Sequence, residues 1–446
     1  MSRDSQPGQV LVIFALVLVV LLGFAAFALD GGNIYADRRS AQAAADTAAL
    51  SGALAIVEGY AGWQVAEVAQ YRASENGYTH NPPDTSVVVN WPPVSPHPYA
   101  GDPGYVQVII THRLDTIFAH LFYEGAFVQS VEAVAHARVN EDLLPGYAVY
   151  ADNESACPAV EFDGNPDTTV TGGGSIHANS TQSCSCAASG AAGVSRGTGS
   201  VTVVDPLGRA GIFSVGCWKK MGSTFVSAPP PQGGASPETV DLPPVPDCSA
   251  LPDYTSEGDK VYNGVGTISP GRYDSIYATS AHAVLTMQPG IYCLSGELAG
   301  VSPRQAFQID ADAAVLGSDV MIYLGPTAGG FRAAGSGTTT LAAGDPSGAV
   351  VPALIDASGE DWRGMLIYVD PSNTNDVHLS GGSNSSFTGT ILALGSRCTV
   401  QGGGGLLAMN TQLLCDSVRI TGNGNVHIDY DPARNYQRED GIDLFH

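Results

Sequence analysis

Lysine is nearly missing from this chain: Lys219, Lys220 and Lys260 are the only three in 446 residues. Nineteen basic side chains stand against 43 acidic ones, a net charge of −24. Nucleic-acid binding needs a basic stripe, so no nucleic-acid partner is expected. Charged residues of both signs make up only 14% of the chain, well below the usual share of about 25%. Cysteine is absent before Cys157. HExxH, the P-loop, GxSxG and the dinucleotide-binding glycine pattern are absent too, so neither an enzyme nor a cofactor is expected. The scattered histidines, His112, His120 and His136 among them, have no metal-ligand spacing.

What the sequence does have is one apolar run without charge or proline over residues 10–29. As a helix it covers roughly 30 Å, the thickness of a bilayer core. Val10, Ile13, Phe14, Leu22, Phe24 and Leu29 are its candidate anchor residues. A cleaved secretory signal is the alternative. Such signals carry an apolar stretch of about 7–15 residues before a small-residue cleavage site. Here the nearest small residues, Ala25 and Ala26, lie inside the run, which favours a retained anchor. Residues 1–9 then form a short cytoplasmic head, with a slight positive-inside bias from Arg3.

Residues 30–58 are alanine-rich and predict a continuing helix, with a kink at Gly31 and Gly32. Ala41, Ala45, Ala48, Gly52 and Ala55 recur at three- and four-residue spacing and form a small-residue packing seam. Either the chain's own small domain covers this seam, or it is a helix–helix contact in an assembly. A second helix is predicted over residues 63–74. Residues 86–89, 105–110 and 130–139 alternate as strands, and a short helix is expected over 116–123. Together they make a small α+β unit closing near Asn140.

The glycine–glutamine entry at Gly8 and Gln9, the apolar run, the Leu29-Asp30-Gly31-Gly32 exit, the Arg38–Arg39 pair and the Ala-Asp-Ala helix occur in that order. This block resembles the TadE/TadG-like family of the Flp (Tad) pilus-assembly system. Strand, helix and strand over residues 105–139 look like the segment that closes that module. Prepilin-like members carry a glutamate five residues after the processing glycine. Ile13 stands at that distance from Gly8, so the uncleaved TadG-like pattern is the better match. The resemblance implies a bacterial minor pilin or pilus-assembly component, single-pass in the cytoplasmic membrane with its C-terminal domain extracytoplasmic. Its implied partners are the membrane, other pilin-like subunits and the pilus secretion platform. The metal-adhesion motif of some family members has one local echo, Asp356-Ala357-Ser358-Gly359-Glu360, read here as a strand-to-turn transition.

From residue 141 to 433, short apolar bursts recur about every twenty residues between Gly, Ser, Thr and Asn turns. Strands this short cannot bury a face alone, but stacked coils can. The expected architecture is therefore α+β and all-β: an N-terminal transmembrane helix, a small α+β pilin-like module over 30–140, then a right-handed parallel β-helix. A β-sandwich is the alternative. The proline-rich stretch 226–248 predicts a strap, and residues 434–446 a polar tail that is either disordered or docked.

Cys157, Cys184, Cys186, Cys217, Cys248, Cys293, Cys398 and Cys415 are an even set confined to this part and predict disulfides of undetermined pairing. A metal site seeded by Cys184 and Cys186, or free thiols, are the rivals. Two functional alternatives remain. A surface adhesin would bind glycan or protein. An anchored polysaccharide-degrading enzyme would need converging carboxylates, for which Asp310 with Asp312 and Asp429 with Asp431 are the candidates. Calcium at such pairs has no supporting loop motif.

Overall fold

A computed structural model describes residues 7–116, 118, 126–138, 142–186, 191–195, 198–221, 226–310, 312–334, 337–381, 385–403, 405, 407–438 and 441–445. The chain divides into two compact units, Met1–Asn140 with Glu439–His446, and Glu141–Arg438. Residues 434–446 are therefore not one separate tail but split between the units.

In the first unit, α1 (Pro7–Val57) runs unbroken through Gly31 and Gly32, where a kink was expected. It stops at Gly59, whose φ of +77° suits a left-handed cap that glycine adopts freely. The N–H groups of Gly59 and Tyr60 donate to the carbonyls of Ile56 and Ala55. A second helix, α2 (Gly62–Glu75), buries Val65, Ala69 and Ala73 at four-residue spacing. Both helices lie on an antiparallel sheet of β1 (Thr85–Asn90), β2 (Tyr105–Leu114) and β3 (Phe127–Arg138). Val106, Val108 and Ile110 of β2, with Val131, Ala133, Ala135 and Ala137 of β3, point every second side chain inward. The helix expected over 116–123 lies largely outside the described residues, as does His120.

A fourth strand closes this sheet, and it is Gly441–Phe445 from the far end of the chain, antiparallel to β3 with Ala135 opposite Leu444. Arg138 pairs with Asp443 at 3.0 Å. Phe445 packs against the rings of Tyr99, Tyr105 and His136 at centroid distances of 5.7–6.3 Å. Of the two expectations for the tail, these residues take the docked one.

In the second unit, successive short strands pair in parallel with the third strand along. Tyr147–Ala151 pairs with Ser175–Ala178, Val160–Phe162 with Gly193–Ser195, and Asp167–Thr171 with Ser200–Val203. The chain thus passes through three parallel rows in turn. Two rows merge into a 17-stranded sheet, because Thr390–Gly402 and Leu413–Gly422 continue from one into the next; the third row is a ten-stranded sheet. This parallel pairing excludes the antiparallel β-sandwich. Inward side chains stack rung on rung, as in the Phe307–Phe331 pair at 5.0 Å.

The spatial order of the rungs is not the order of the chain. Leu413–Gly422 stacks directly on Tyr147–Ala151 and Val160–Phe162, so the chain enters the stack in its middle. It winds to one end at Val226–Ala228, crosses to the other end at Lys260–Tyr262, and winds back to its entry point. Residues 229–259 make the crossing, so the strap begins three residues later than expected, after the strand Val226–Ala228. Tyr150 Oη donates to the Glu238 carbonyl at 2.7 Å, and Asn179 Nδ2 to the same carbonyl at 3.0 Å. Tyr368 Oη donates to the Pro243 carbonyl at 3.3 Å. All three lysines sit on terminal strands, Trp218–Lys220 and Lys260–Tyr262, where charge discourages further strand pairing.

Asp142 stands at the entry to the stack and accepts a hydrogen bond from Tyr430 Oη at 2.8 Å. Burial pushes its carboxyl up to about 6, against the opposing effect of Tyr430 and Asn435. A raised acid pKa favours the protonated form in the native state. The stability it contributes is complete below the ordinary value near 4 and is lost as pH rises through 6. This amounts to about 3 kcal/mol. Between pH 4 and pH 8 the native protein should lose about that much more stability than Asp142→Asn does, measured by denaturant titration at both pH values.

Candidate functional site

The half of α1 that precedes Asp30 is apolar all round, and its described side chains are exposed: Ile13, Phe14, Leu22, Phe24 and Leu29 each keep more than half their surface. Val10 lies in α1, but its side chain is outside the described set. A helix exposed and apolar on every side suits lipid, not water. It is the one helix among the described residues long and apolar enough to cross a membrane.

At Asp30 the pattern reverses. Asp30 is buried, and its Oδ2 accepts the N–H of Phe118 at 2.9 Å. Two turns on, Asp37 accepts from Tyr78 Oη at 3.0 Å, lies 3.2 Å from His112 Nδ1, and also takes the Gln129 amide. Burial first, and then Asp37, raise the Tyr78 phenol pKa and keep the phenol protonated as a donor. Asp37 ties the helix to β2 and β3, and Asp30 ties it to Phe118 between those strands, where the apolar half ends.

Beyond them, Ala41, Ala45, Ala48 and Ala55 are fully covered, and a β-carbon at Gly52 would stand 3.0 Å from Val106 Cγ1. The seam does pack, but its partner is the chain's own α2 and sheet. The assembly-contact expectation is corrected: buried positions cannot also face another subunit. Asp30 and Asp37 lie seven residues apart, and Ala41 follows four later, so extending the seam backwards finds both acids on the same face.

Residues 8–55 match the family model of the putative Flp pilus-assembly TadE/G-like domain. The matched segment spans the exposed apolar half, the Asp30–Asp37 clasp and the alanine seam. In this chain the matched segment is thus one continuous helix whose first half suits lipid and whose second half packs on a sheet. No curated protein matches the chain.

The cysteines of the second unit pair as Cys157–Cys186, Cys184–Cys217, Cys248–Cys293 and Cys398–Cys415. Cys184 and Cys186 bond to different loops, which rules out the metal-site rival. Three bonds join neighbouring coils and Cys248 pins the strap. Among the described residues no group of three or more His, Cys, Asp or Glu could hold a metal ion.

The carboxylate pairs do not share strands. Asp310 follows Gln305–Ile309, and Asp312 lies beyond it. Asp429 ends Val426–Asp429 and takes the Thr171 hydroxyl at 2.7 Å, whereas Asp431 has left the strand to cap a short helix at Pro432–Arg434. Asp356 is saturated. It accepts from the N–H groups of Ser358 and Asp247 at 2.8 and 2.9 Å and from Trp362 Nε1 at 3.0 Å. Burial opposes its charge, yet these donors hold its carboxyl below the usual range. The turn is there as expected, but it follows a short 3-10 helix, Pro352–Leu354, and not a strand.

Proposed function

We propose that this protein is a membrane-anchored minor pilin or structural assembly component of an Flp (Tad) pilus. Residues 10–29 hold it as a single span in the cytoplasmic membrane, with residues 1–9 cytoplasmic. The second unit is extracytoplasmic and forms a right-handed parallel β-helix, the hand that parallel crossovers take in nearly all sheets. The role is mechanical, not enzymatic, and its partners are other pilin-like subunits and the pilus secretion platform. The observation that carries this reading is the TadE/G-like match over residues 8–55, on a helix whose apolar half has no protein covering it.

Two measurements test it. Leu22→Arg places a charge near the centre of the span, at a cost of about 3–4 kcal/mol for insertion. The variant should shift from the membrane fraction to the alkaline-extractable fraction. Native protein captured from solubilised membranes should bring pilus platform subunits with it, and repeated capture without them would remove the pilus role. A second reading, a surface adhesin for glycan or protein, draws support from the polar outer face of one row of strands.

A further inference from the structure

One end of the first unit's sheet lies close to the lipid-suited half of α1, and contacts along the helix fix which end it is. A β-carbon at Gly52 would touch Val106 of β2, Gln42 Nε2 donates to the Glu132 carbonyl at 3.0 Å, and Asp37 meets His112 and Gln129. Following α1 back toward its span therefore follows β2 forward and β3 backward. Asp37 stands eight residues past Leu29, roughly 12 Å along the helix. Past His112 and Gln129 the two strands run on toward the span, to Leu114 on β2 and Phe127 on β3. Asp30, the residue after Leu29, takes the Phe118 N–H at 2.9 Å. Phe118 therefore stands level with the end of the apolar run.

This end is apolar at its surface. Phe118, Phe127 and Val128 are 37%, 40% and 59% exposed. Tyr35 of α1 is 66% exposed, and its side chain tilts back toward the span, as helical side chains tilt toward their N-terminus. Exposure alone does not single these residues out, since Tyr60 and Trp63 are exposed too. Those two lie past Val57, roughly 40 Å along the helix from Leu29. Level is what separates the groups. Outside the hydrocarbon, each leaflet presents an interfacial layer about 5–7 Å deep, in which aromatic rings are favoured. Phe118 falls inside that layer, and Phe127 and Val128 at its outer margin. Asp84 and Asp115 are exposed at the same end, which keeps the seat shallow.

We propose that this end of the sheet is a second membrane contact, seated in the interfacial layer of the bilayer that α1 crosses. It continues the lipid-suited surface of the helix sideways onto Phe118, Phe127 and Val128. A protein partner would have to displace lipid headgroups to reach Phe118. A lone helix fixes only where the unit is attached. A shallow seat beside it also fixes how the unit is tilted over the membrane. The proposal rests on residues 10–29 spanning the bilayer.

All eight cysteines are disulfide-bonded, so a thiol-reactive fluorophore marks only an introduced cysteine. The test uses full-length protein in phosphatidylcholine–phosphatidylglycerol vesicles, labelled in turn at Phe118→Cys, Phe127→Cys, Val88→Cys and Leu22→Cys. Phe118→Cys keeps the N–H that Asp30 accepts, and Phe127→Cys is a second site on the same end. Val88 is the control: it pairs with Ile109, on the side of His112 away from the span. Lipid with a nitroxide at the top of its acyl chain should quench the Phe118 label about two-fold or more, the Phe127 label less and the Val88 label not at all. Iodide in the water should give the reverse order. The proposal is overturned, and the anchor kept, if the labels at 118 and 127 are quenched by lipid no more than the one at 88 while chain-end nitroxide still quenches the Leu22 label. An unquenched Leu22 label would overturn the anchor and the seat together.

Discussion

Gly424→Val is expected to cost more than about 4 kcal/mol and to leave the strand-rich unit unable to fold at 37 °C. A β-carbon at Gly424 would collide with the Gly403 carbonyl oxygen, and one at Gly402 with the Gly424 carbonyl oxygen. Gly422 has a φ of +113° and faces Gly402 in the same way. At this corner, backbone lies directly on backbone between successive coils. The obstructing atoms are carbonyls of neighbouring turns, not the tips of flexible side chains, so relief requires parting two coils along their whole edge. Gly264 is the matched control. A β-carbon there meets nothing within 4 Å and its φ is not positive, so Gly264→Ala should be neutral or slightly stabilising. Thermal unfolding of both variants checks the contrast. Equal melting points would mean that the corner is looser than its geometry.

The second large effect belongs to the strap. Cys248–Cys293 closes a loop of 45 residues. In the chain-entropy account, a closure of that length contributes about 4 kcal/mol. The double variant Cys248→Ser, Cys293→Ser should lose about that much in denaturant titration under oxidising conditions. The strap is tied at both ends: Gln232, Gly234 and Ala235 bond to the backbone of residues 212–215, Glu238 is held by Asn179, Tyr147 and Tyr150, and Asp253 pairs with Arg272; between residues 239 and 247 its ties are the Pro243 carbonyl accepting from Tyr368, the Asp247 N–H donating to Asp356, and an ion pair between Arg438 and Asp241. Limited proteolysis should therefore cut the variant first within residues 239–247. A cut elsewhere, or none, would show that those ties hold the strap without the disulfide.

The parts of the fold that were legible in the sequence are those written in local periodicity. The apolar run, the alternation of residues 105–110 and 130–139, and the helical spacing of 63–74 each state which side of an element is inward. Cysteine content states that the second unit is oxidised, but not which residues bond. What remained hidden depends on partners distant in sequence. Gly-Ile-Asp-Leu-Phe at 441–445 has two inward positions and no turn signal that names β3 as its neighbour. The alanine seam was visible, but its spacing fits a sheet and a foreign helix equally well; only the covering by Val106 and Ala69 decides. Asp30 and Asp37 look like ordinary helix-surface acids until the seam is traced back to them. In the second unit, short bursts show that strands exist, whereas third-neighbour pairing and mid-stack entry are properties of topology.

The strand Gly441–Phe445 carries a consequence for biogenesis. Arg138 and Asp443, which pair across the join, are 305 residues apart. The first domain to leave the ribosome therefore waits for its closing piece until the entire inserted domain has been made. During that interval β3 is an open edge, able to recruit any extended segment nearby. Contacts this remote slow folding. A ribosome stalled inside the insert would leave behind an anchor-proximal domain with one side unsealed, a form that proteases and chaperones can tell from the finished protein.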